Sequence, residues 1–287
     1  MARPPLRLGV IADMHHNPVD GFPKICSSAL PLLRRALDFS TRERVSGLVD
    51  LGDRIDDRER TADLALGKEI SEVFHDYGIP REHLMGNHDS YSISVAEWES
   101  LLDRPLRSRA SILGDYRLLY FCADVDNDRG ARDYCLQDAE LDWLERELPR
   151  DDRHTLIFTH VPLMAGNMAG NYYFENQPGR SAFLNAHRAR RIIEESGNVL
   201  LVVSGHVHWN SLNFCNGVYY ITVQSLTESF TTGGSPCGAH SLLQIDDDSI
   251  DLQVFGGDPI RFVVPRRKPA VAHARLRSAG GGREATC

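Results

Sequence analysis

The sequence has 287 residues, of which 42% are hydrophobic and 25% are charged, and these ordinary proportions exclude fibrous, collagen-like and wholly disordered chains. No apolar run approaches the roughly 18 to 20 residues that span a bilayer, so no membrane partner is expected. Only about six apolar residues precede Asp13, too few for a secretory signal, which makes the cytoplasm the expected location. The six cysteines form no C-x-x-C pair, and we expect free thiols.

The net charge of −8 is distributed unevenly along the chain. Residues 266–287 contain six basic side chains and one acidic side chain, which leaves the remainder strongly acidic. We therefore expect one domain at 1–265, followed by a basic, flexible tail at 266–287. An acidic body does not favour a nucleic-acid polymer as a partner, because such binding depends on Lys and Arg that neutralise phosphates. If the protein handles a phosphate, groups other than Lys and Arg are expected to attract it.

The first part of the chain alternates between strand-like and helix-like segments. Short apolar runs predict strands at 6–12, 47–53 and 83–85, and apolar residues at helical spacing predict helices at 30–44 and 62–77. This alternation is typical of βαβ units and a largely parallel sheet.

The same rhythm continues and then changes to hairpins. Strands are predicted at 117–122, 155–159 and 199–204, and helices at 138–148 and 181–196. Residues 211–264 contain only short β-rich runs separated by Gly, Asn and Asp, which predict hairpins. The expected architecture is an α/β fold in which two sheets form a sandwich with helices outside.

Five short segments place side chains that are able to ligate metals directly after predicted strands, where α/β proteins hold their sites. They are Asp13-Met14-His15, Gly52-Asp53, Gly86-Asn87-His88-Asp89, Thr159-His160 and Gly205-His206-Val207-His208. Each segment taken alone also fits a turn, a helix cap or a buried, hydrogen-bonded histidine. Their joint occurrence at the ends of successive predicted strands favours one common site.

The side chains in these segments are Asp, His and Asn, with no thiolate. Nitrogen and oxygen ligands suit Mn, Fe, Zn, Co or Ni, and they argue against a closed structural zinc site. About eight donor residues exceed the needs of one ion, so we expect two divalent or mixed-valence transition-metal ions that share a carboxylate, with Mn, Fe or Zn as candidates. Two divalent cations outweigh the charge of two aspartates, so such a site stays cationic inside an acidic protein.

These five segments, in this order and with this spacing over about residues 8 to 210, resemble the calcineurin-like metallophosphoesterase superfamily. The resemblance implies a four-layer α/β/β/α sandwich of two mixed sheets with flanking helices. It also implies the metal ligands: Asp13, His15 and His208 for the first ion, Asn87, His160 and His206 for the second, and Asp53 as the bridge.

The resemblance further implies how the site works. His88 would stabilise the transition state or protonate the leaving oxygen, with Asp89 or a backbone carbonyl orienting its ring. A metal-bridging hydroxide would attack phosphorus, because metals lower the pKa of bound water towards neutrality.

Departures from the patterns of individual subfamilies narrow the expected activity. Asp56 occupies the position of the tyrosine ligand of the purple acid phosphatases, and the blocks ADMHH, GDRID and GNHD differ from those of the protein serine/threonine phosphatases. The chain is most similar to the class III cyclic-nucleotide phosphodiesterases and the manganese-dependent ADP-ribose/CDP-alcohol diphosphatases. The resemblance thus implies a phosphodiesterase acting on a small soluble substrate of the cyclic nucleotide, nucleotide diphosphate or glycerophosphodiester type. A phosphomonoesterase of the same fold and a non-catalytic metal-binding interaction scaffold stay open as alternatives.

A long connection after His160 is expected to border the site as a lid. Its aromatic residues Tyr172 and Tyr173 are candidates for stacking on a substrate, with packing of the loop onto the sandwich as the alternative. Three residues next to the metal-binding segments are further candidates for contact with a small phosphorylated substrate: His16, Asn17 and Trp209. The sequence leaves homo-oligomer formation open.

Overall fold

Two six-stranded sheets lie face to face at the centre of the structure, a computed structural model that describes residues 5–126 and 132–266. The first sheet has the order β12-β11-β10-β1-β2-β3, and its strands are β1 (Leu6–Ile11), β2 (Gly47–Asp50), β3 (Arg81–His83), β10 (His240–Ile245), β11 (Ser249–Phe255) and β12 (Ile260–Pro265). The second sheet has the order β4-β5-β6-β7-β9-β8, and its strands are β4 (Arg109–Leu113), β5 (Tyr116–Tyr120), β6 (His154–Thr159), β7 (Val199–Ser204), β8 (Ser211–Cys215) and β9 (Val218–Thr222).

Both sheets are mixed. In the first sheet, β1, β2 and β3 are parallel to one another, whereas β10, β11 and β12 form antiparallel pairs that begin at β1. In the second sheet, β5, β6, β7 and β9 are parallel, and β4 and β8 pair antiparallel at the two edges. The parallel strands therefore end together at one edge of each sheet, which is where α/β proteins place their sites.

Six helices flank the sheets in the described part of the chain. They are α1 (Ala29–Arg42), α2 (Arg60–His75), α3 (Asn87–Ser90), α4 (Val95–Leu102), α5 (Asp138–Glu147) and α6 (Ala186–Ser196). In α1, Leu33, Ala36 and Leu37 are buried at helical spacing and join the hydrophobic cluster beneath the helices. Among the described residues, no helix combines the length and the apolar character needed to cross a membrane.

The central strands are apolar on both faces, because each sheet is covered on both sides. In β6, Leu156 and Phe158 belong to the cluster between the sheets, whereas Ile157 belongs to the cluster under the helices. The expected four-layer sandwich of two mixed sheets with flanking helices is therefore confirmed.

Most predicted elements lie within a few residues of the observed ones, with informative exceptions. Helix α6 begins at Ala186 rather than at 181, because residues 181–185 form bends and turns in which the side chain of Asn185 bonds to the backbone of Leu136. Strand β3 ends at His83, before the residues assigned to it from their apolar character. Neither β4 nor α4 was predicted.

Two further expectations concern the C-terminal tail and the cysteines. The basic tail expected at 266–287 lies outside the described residues, apart from Arg266. Cys26, Cys122, Cys215 and Cys237 carry free thiols as expected, but Cys135 is disulfide-bonded, so the expectation of free thiols is wrong there.

Candidate metal centre

The five polar segments occupy the carboxyl ends of five parallel strands. Asp13 follows β1, Asp53 follows β2 and Asn87 follows β3, all in the first sheet. His160 follows β6 and the pair His206 and His208 follows β7, both in the second sheet. Since the two sheets face each other, the same edge of the sandwich collects side chains from both of them.

Five of these residues have the left-handed backbone conformation that side chains other than glycine rarely adopt. Their φ angles are 53° for Asp13, 45° for His15, 55° for Asp53, 69° for His206 and 47° for His208. Such conformations cost free energy and persist only where the surrounding structure enforces them. Here hydrogen bonds between adjacent loops enforce them, including His15 N to Asp53 O at 2.9 Å and His206 N to the Asp13 carboxylate at 3.0 Å.

Close packing of these loops requires the motif glycines, as Gly52 and Gly205 show. Gly52 has a φ of +103°, and a Cβ atom there would lie 2.4 Å from the backbone nitrogen of Gly86. A Cβ atom at Gly205 would lie 2.6 Å from Oδ2 of Asp13. Each glycine therefore permits an approach between two loops that any larger residue would prevent.

A first cluster of donor atoms is formed by Asp13, His15 and His208. The Nε2 atoms of His15 and His208 lie 3.0 Å apart, and His208 Nε2 lies 3.4 Å from Oδ1 of Asp13. Next to this cluster, Oδ2 of Asp53 lies 3.8 Å from Nε2 of His15.

A second cluster is formed by Asp53, His160 and His206, with Asn87 between the two rings. Oδ2 of Asp53 lies 3.4 Å from Nε2 of His160. The amide oxygen of Asn87 lies 3.2 Å from that same nitrogen and 2.9 Å from Nδ1 of His206. Asp53 is thus the carboxylate that both clusters share.

These donors suit a pair of divalent cations. All seven side chains are buried, and they converge with oxygen and imidazole nitrogen atoms and no thiolate. Burying Asp13 and Asp53 together costs a large free energy unless positive charge compensates them. The donor set therefore fits two metal ions, as the sequence led us to expect; which of these residues bind metal stays a prediction.

Protons provide that compensation in the protein itself. Burial lowers the pKa of His208, but the carboxylates of Asp13 and Glu228 outweigh burial and raise it to about 9. Burial likewise lowers the pKa of His160, and the nearby Asp53 raises it to about 9. Each cluster thus favours a positive charge at the position where its donor atoms meet.

His88 stands beside the two clusters and is held by a carboxylate that the sequence did not identify. Its Nδ1 lies 2.5 Å from Oδ1 of Asp57, and its backbone N–H donates to Oδ1 of Asp53 at 2.8 Å. The expectation that Asp89 or a backbone carbonyl orients this ring is therefore corrected, because Asp57 does so.

Asp89 instead links the loop after β2 to the loop after β3 through hydrogen bonds. Its buried carboxylate accepts hydrogen bonds from the backbone N–H groups of Asp53, Arg54 and Gly86, at 2.9, 2.9 and 3.0 Å. It also forms an ion pair with the guanidinium of Arg54 at 2.7 Å. These bonds turn Asp89 away from His88 and give it a structural position.

A pocket of about 170 Å³ opens over the clusters. Its floor contains Asp53, Asn87, His88, His206 and His208, and its walls contain Lys24, Tyr91, Tyr134, Tyr173, Phe174, Gln177 and Arg180. Aromatic rings thus stand directly above the donor atoms. Lys24 and Arg180 add two cationic side chains to the pocket lining. That groups other than Lys and Arg attract a phosphate stays a prediction.

Of the five residues predicted to contact substrate, only Tyr173 lines this pocket. Nε2 of His16 lies 2.8 Å from Glu69 on α2. The side chain of Asn17 donates to the backbone oxygen of Asp56, in the loop after β2, and accepts from the backbone N–H of Val19. Both residues therefore stabilise the loop after β1.

Tyr172 and Trp209 also lie outside the pocket wall. Tyr172 is 53% exposed and packs edge-on against Phe22, with ring centroids 5.3 Å apart. Trp209 stacks on Phe230 at 5.6 Å. For these residues the structure favours packing of the loops, the alternative that the sequence left open.

Sequence reasoning missed several residues that surround the centre: Lys24, Asp57, Tyr91, Tyr134, Arg180 and Glu228. Asp57 offered one signal, since it lies only four residues after Asp53. Tyr91 lies two residues after the Gly86–Asp89 motif, whereas Lys24, Tyr134, Arg180 and Glu228 lie in connections further from the motifs and are brought here by the folded chain.

The comparisons with known proteins agree with this geometry. The model of the calcineurin-like phosphoesterase family matches residues 6–210 of this chain. A dimetal phosphatase from Danio rerio has a similar structure, with a TM-score of 0.72 at 17% identity over 92% of this chain and 100% of that one. GAP50, the anchor in the inner membrane complex of Plasmodium, has a TM-score of 0.58 at 13% identity over 92% of this chain and 89% of that one. No curated protein matches the sequence.

At these identities the solved structures show a shared fold, and the family model supplies the assignment because it matches well over half of the chain. The expected superfamily resemblance is thereby confirmed. The chain belongs to the calcineurin-like phosphoesterase family and is a metal-dependent hydrolase of phosphoric esters.

Proposed function

We propose that this hydrolase is a phosphodiesterase for a small soluble substrate of the cyclic nucleotide, nucleotide diphosphate or glycerophosphodiester type. The observation that supports this proposal is the ring of aromatic side chains beside the donor clusters. Tyr134 and Phe174 both pack on His206 with ring centroids 5.1 Å away, and Tyr173 packs on His208 at 5.0 Å. A diester carries organic groups on two oxygens, so it would bury apolar surface against these rings.

In this proposal Asp13, His15 and His208 would hold one cation, Asn87, His160 and His206 would hold the other, and Asp53 would be the carboxylate that both share. When bound, such a pair supplies Lewis acidity towards a phosphoryl oxygen and makes water acidic enough to react near neutral pH. The protein's own part is to fix the donor atoms before substrate arrives. The loop hydrogen bonds and buried carboxylates described above do this.

We assign proton delivery to His88. Because Asp57 accepts the proton on Nδ1, the transferable proton belongs on Nε2, the other ring nitrogen. His88 lines the pocket, where its imidazole is able to donate to the oxygen of the departing group. Asp57 keeps the ring in this tautomer.

A phosphomonoesterase is the second candidate, and Lys24 and Arg180 are the observation that favours it. A monoester has one more ionised oxygen than a diester and needs additional positive or hydrogen-bonding groups. Each wall cation already faces a carboxylate, however: Lys24 is bound to Asp56, and Nε of Arg180 lies 3.9 Å from Asp133. Their charge is therefore largely balanced, and we rank this function second.

The deciding experiment compares turnover of bis(p-nitrophenyl) phosphate and p-nitrophenyl phosphate by metal-loaded protein. We expect a higher kcat/KM for the diester, and preference for the monoester would reverse the ranking. Asp53→Asn should lower kcat on the diester by orders of magnitude, because it removes the shared carboxylate. The same change at exposed Asp142 is the matched control and should leave kcat unchanged. A panel of cyclic nucleotides, ADP-ribose, CDP-alcohols and glycerophosphodiesters then identifies the substrate type.

A further inference from the structure

Glu228 is a fully buried carboxylate on the connection between β9 and β10 that the catalytic assignments leave unused. Its Oε2 lies 2.8 Å from Nδ1 of His208. By contrast, the outward nitrogen of His160 faces a backbone carbonyl, that of Leu51, at 2.9 Å. The two proposed cation positions therefore differ in the hydrogen-bond partner of the second ring nitrogen: a carboxylate at His208 and a backbone carbonyl at His160.

The second carboxylate oxygen of Glu228, Oε1, bonds to the backbone. Oε1 accepts hydrogen bonds from the backbone N–H groups of Ser229 and Phe230, at 2.7 and 3.0 Å. The carboxylate cannot rotate without breaking these bonds, so Oε2 is held against the His208 ring. A proton must then reside on Nδ1 of His208, which turns Nε2 towards Asp13 and His15.

We infer that Glu228 is a positioning residue that fixes His208 as an Nε2 ligand and thereby strengthens the cation position formed with Asp13 and His15. The inference rests on the metal ligands of the proposed function. A carboxylate behind a ligating histidine sets its tautomer and raises its basicity, and loss of such a partner typically weakens metal binding by about 10- to 100-fold. Glu228 touches neither cation position itself, since His208 lies between.

A Glu228→Gln substitution is a demanding test because it preserves size and shape. If the amide oxygen serves Ser229 and Phe230, the amide NH₂ faces Nδ1 of His208. The ring proton must then move to Nε2, the atom that should bind the cation. If the amide turns over, its NH₂ instead opposes two backbone N–H donors inside the protein. Neither arrangement reproduces what the carboxylate does.

The experiment titrates metal-free protein with Mn²⁺ in competition with a fluorescent chelator. For wild type we expect two binding events per chain. In Glu228→Gln one event should weaken by about 10- to 100-fold while the other stays within about threefold. Glu194→Gln is the matched control, because Glu194 also accepts two hydrogen bonds, from Tyr220 and Asn216, but lies on α6 away from the clusters. Both of its binding events should be unchanged.

Two further measurements separate positioning from general structural damage. In a His208→Ala background, Glu228→Gln should have no additional effect on Mn²⁺ affinity, because the residue acts through that ring. Glu228→Asp keeps the charge and should bind Mn²⁺ more tightly than Glu228→Gln, and it serves as the test variant if Glu228→Gln does not fold.

Equal affinities of Glu228→Gln and wild type would overturn the inference, as would an equal loss in the His208→Ala background. Both results would leave the proposed function standing. A wild-type protein that takes up no Mn²⁺ and hydrolyses neither nitrophenyl ester would instead contradict the metal centre itself.

Discussion

The imidazole of His88 is bound through Nδ1 to the carboxylate of Asp57 at 2.5 Å, and its ring meets that of His15 edge-on with centroids 4.8 Å apart. His88, the residue to which we assign proton donation, is thus held by Asp57 and lies against His15 of the first cluster. A carboxylate in this position selects the tautomer of the ring.

His88→Ala should retain both metals and lower kcat on bis(p-nitrophenyl) phosphate by about 10²- to 10⁴-fold, the usual contribution of a positioned acid. Asp57→Asn should lower kcat through the same ring, so the double variant should be little worse than His88→Ala alone. Metal content and kcat are measured for all three variants. Additive losses, or wild-type turnover by His88→Ala, would remove His88 from its assigned role.

Gly205→Ala should impair metal binding without unfolding the protein. The new methyl group would stand 2.6 Å from Oδ2 of Asp13, so that carboxylate must move away from its cluster. We expect Mn²⁺ affinity to fall by about 10-fold or more, as for other displaced ligands. Gly78→Ala is the matched control, because no atom lies within 4 Å of its added Cβ. Equal Mn²⁺ affinity in the two variants would mean that the loops tolerate the extra carbon.

Arg54→Met should destabilise the fold strongly. The guanidinium is fully buried between Asp50 and Asp89, at 2.6 and 2.7 Å, so its removal leaves two buried carboxylates without a counter-ion. Burial raises the pKa of Asp89 to about 6 even with Arg54 present. Loss of one partner of a buried pair costs about 3 to 5 kcal/mol in the free energy of unfolding.

Chemical denaturation of the metal-free protein measures this cost. Arg34→Met is the matched control, since Arg34 forms an exposed pair with Asp76 at 2.7 Å, and exposed pairs contribute at most about 1 kcal/mol. If Arg54→Met and Arg34→Met lowered the free energy of unfolding by a similar small amount, the ion pairs of Arg54 with Asp50 and Asp89 would not be important for stability.

Stability should fall below neutral pH in part through His83, a fully buried ring next to Asp50. Burial lowers its pKa from 6.5 to about 4, an effect that the nearby Asp50 partly opposes and the charges of Arg54 and Arg81 support. As the pH falls, His83 therefore takes up a proton at a higher pH in the unfolded chain than in the folded chain. The stabilisation is complete above about pH 6.5 and is lost as the pH falls towards 4, with a size on the order of 3 kcal/mol.

Denaturation of wild type and His83→Asn at several pH values tests this expectation. The free energy of unfolding should decline more steeply in wild type than in the variant between pH 6.5 and 4. His75→Asn, which alters a histidine at the exposed end of α2, should keep the wild-type slope. If the free energy of unfolding declined equally with pH in wild type and His83→Asn, His83 would not account for the loss of stability below pH 6.5.

How much of the fold the sequence reveals depends on the length of the local signal. Strand Val199–Ser204 is a nearly continuous apolar run that needs both faces covered, and its bounds agree with the prediction to the residue. Strand Arg109–Leu113 has no such run, because an edge strand is stabilised by its pairing with Tyr116–Tyr120 rather than by its own burial. Helix Val95–Leu102 is short, and its capping box at Ser94 and Glu97 is a signal that apolar periodicity does not detect.

The sequence by itself indicated the candidate side chains, because Asp13, Asp53, Asn87 and the histidine motifs each follow a predicted strand, where α/β proteins place their sites. That the first three come from one sheet and the histidine motifs of β6 and β7 from the other was decided by the way the two sheets face each other. Only the tertiary structure decided what supports them. Asp57 rather than Asp89 holds His88, and Glu228 rather than a neighbour in sequence holds His208. Carboxylates of this kind are fixed by packing between loops distant along the chain, and no local spacing encodes that contact.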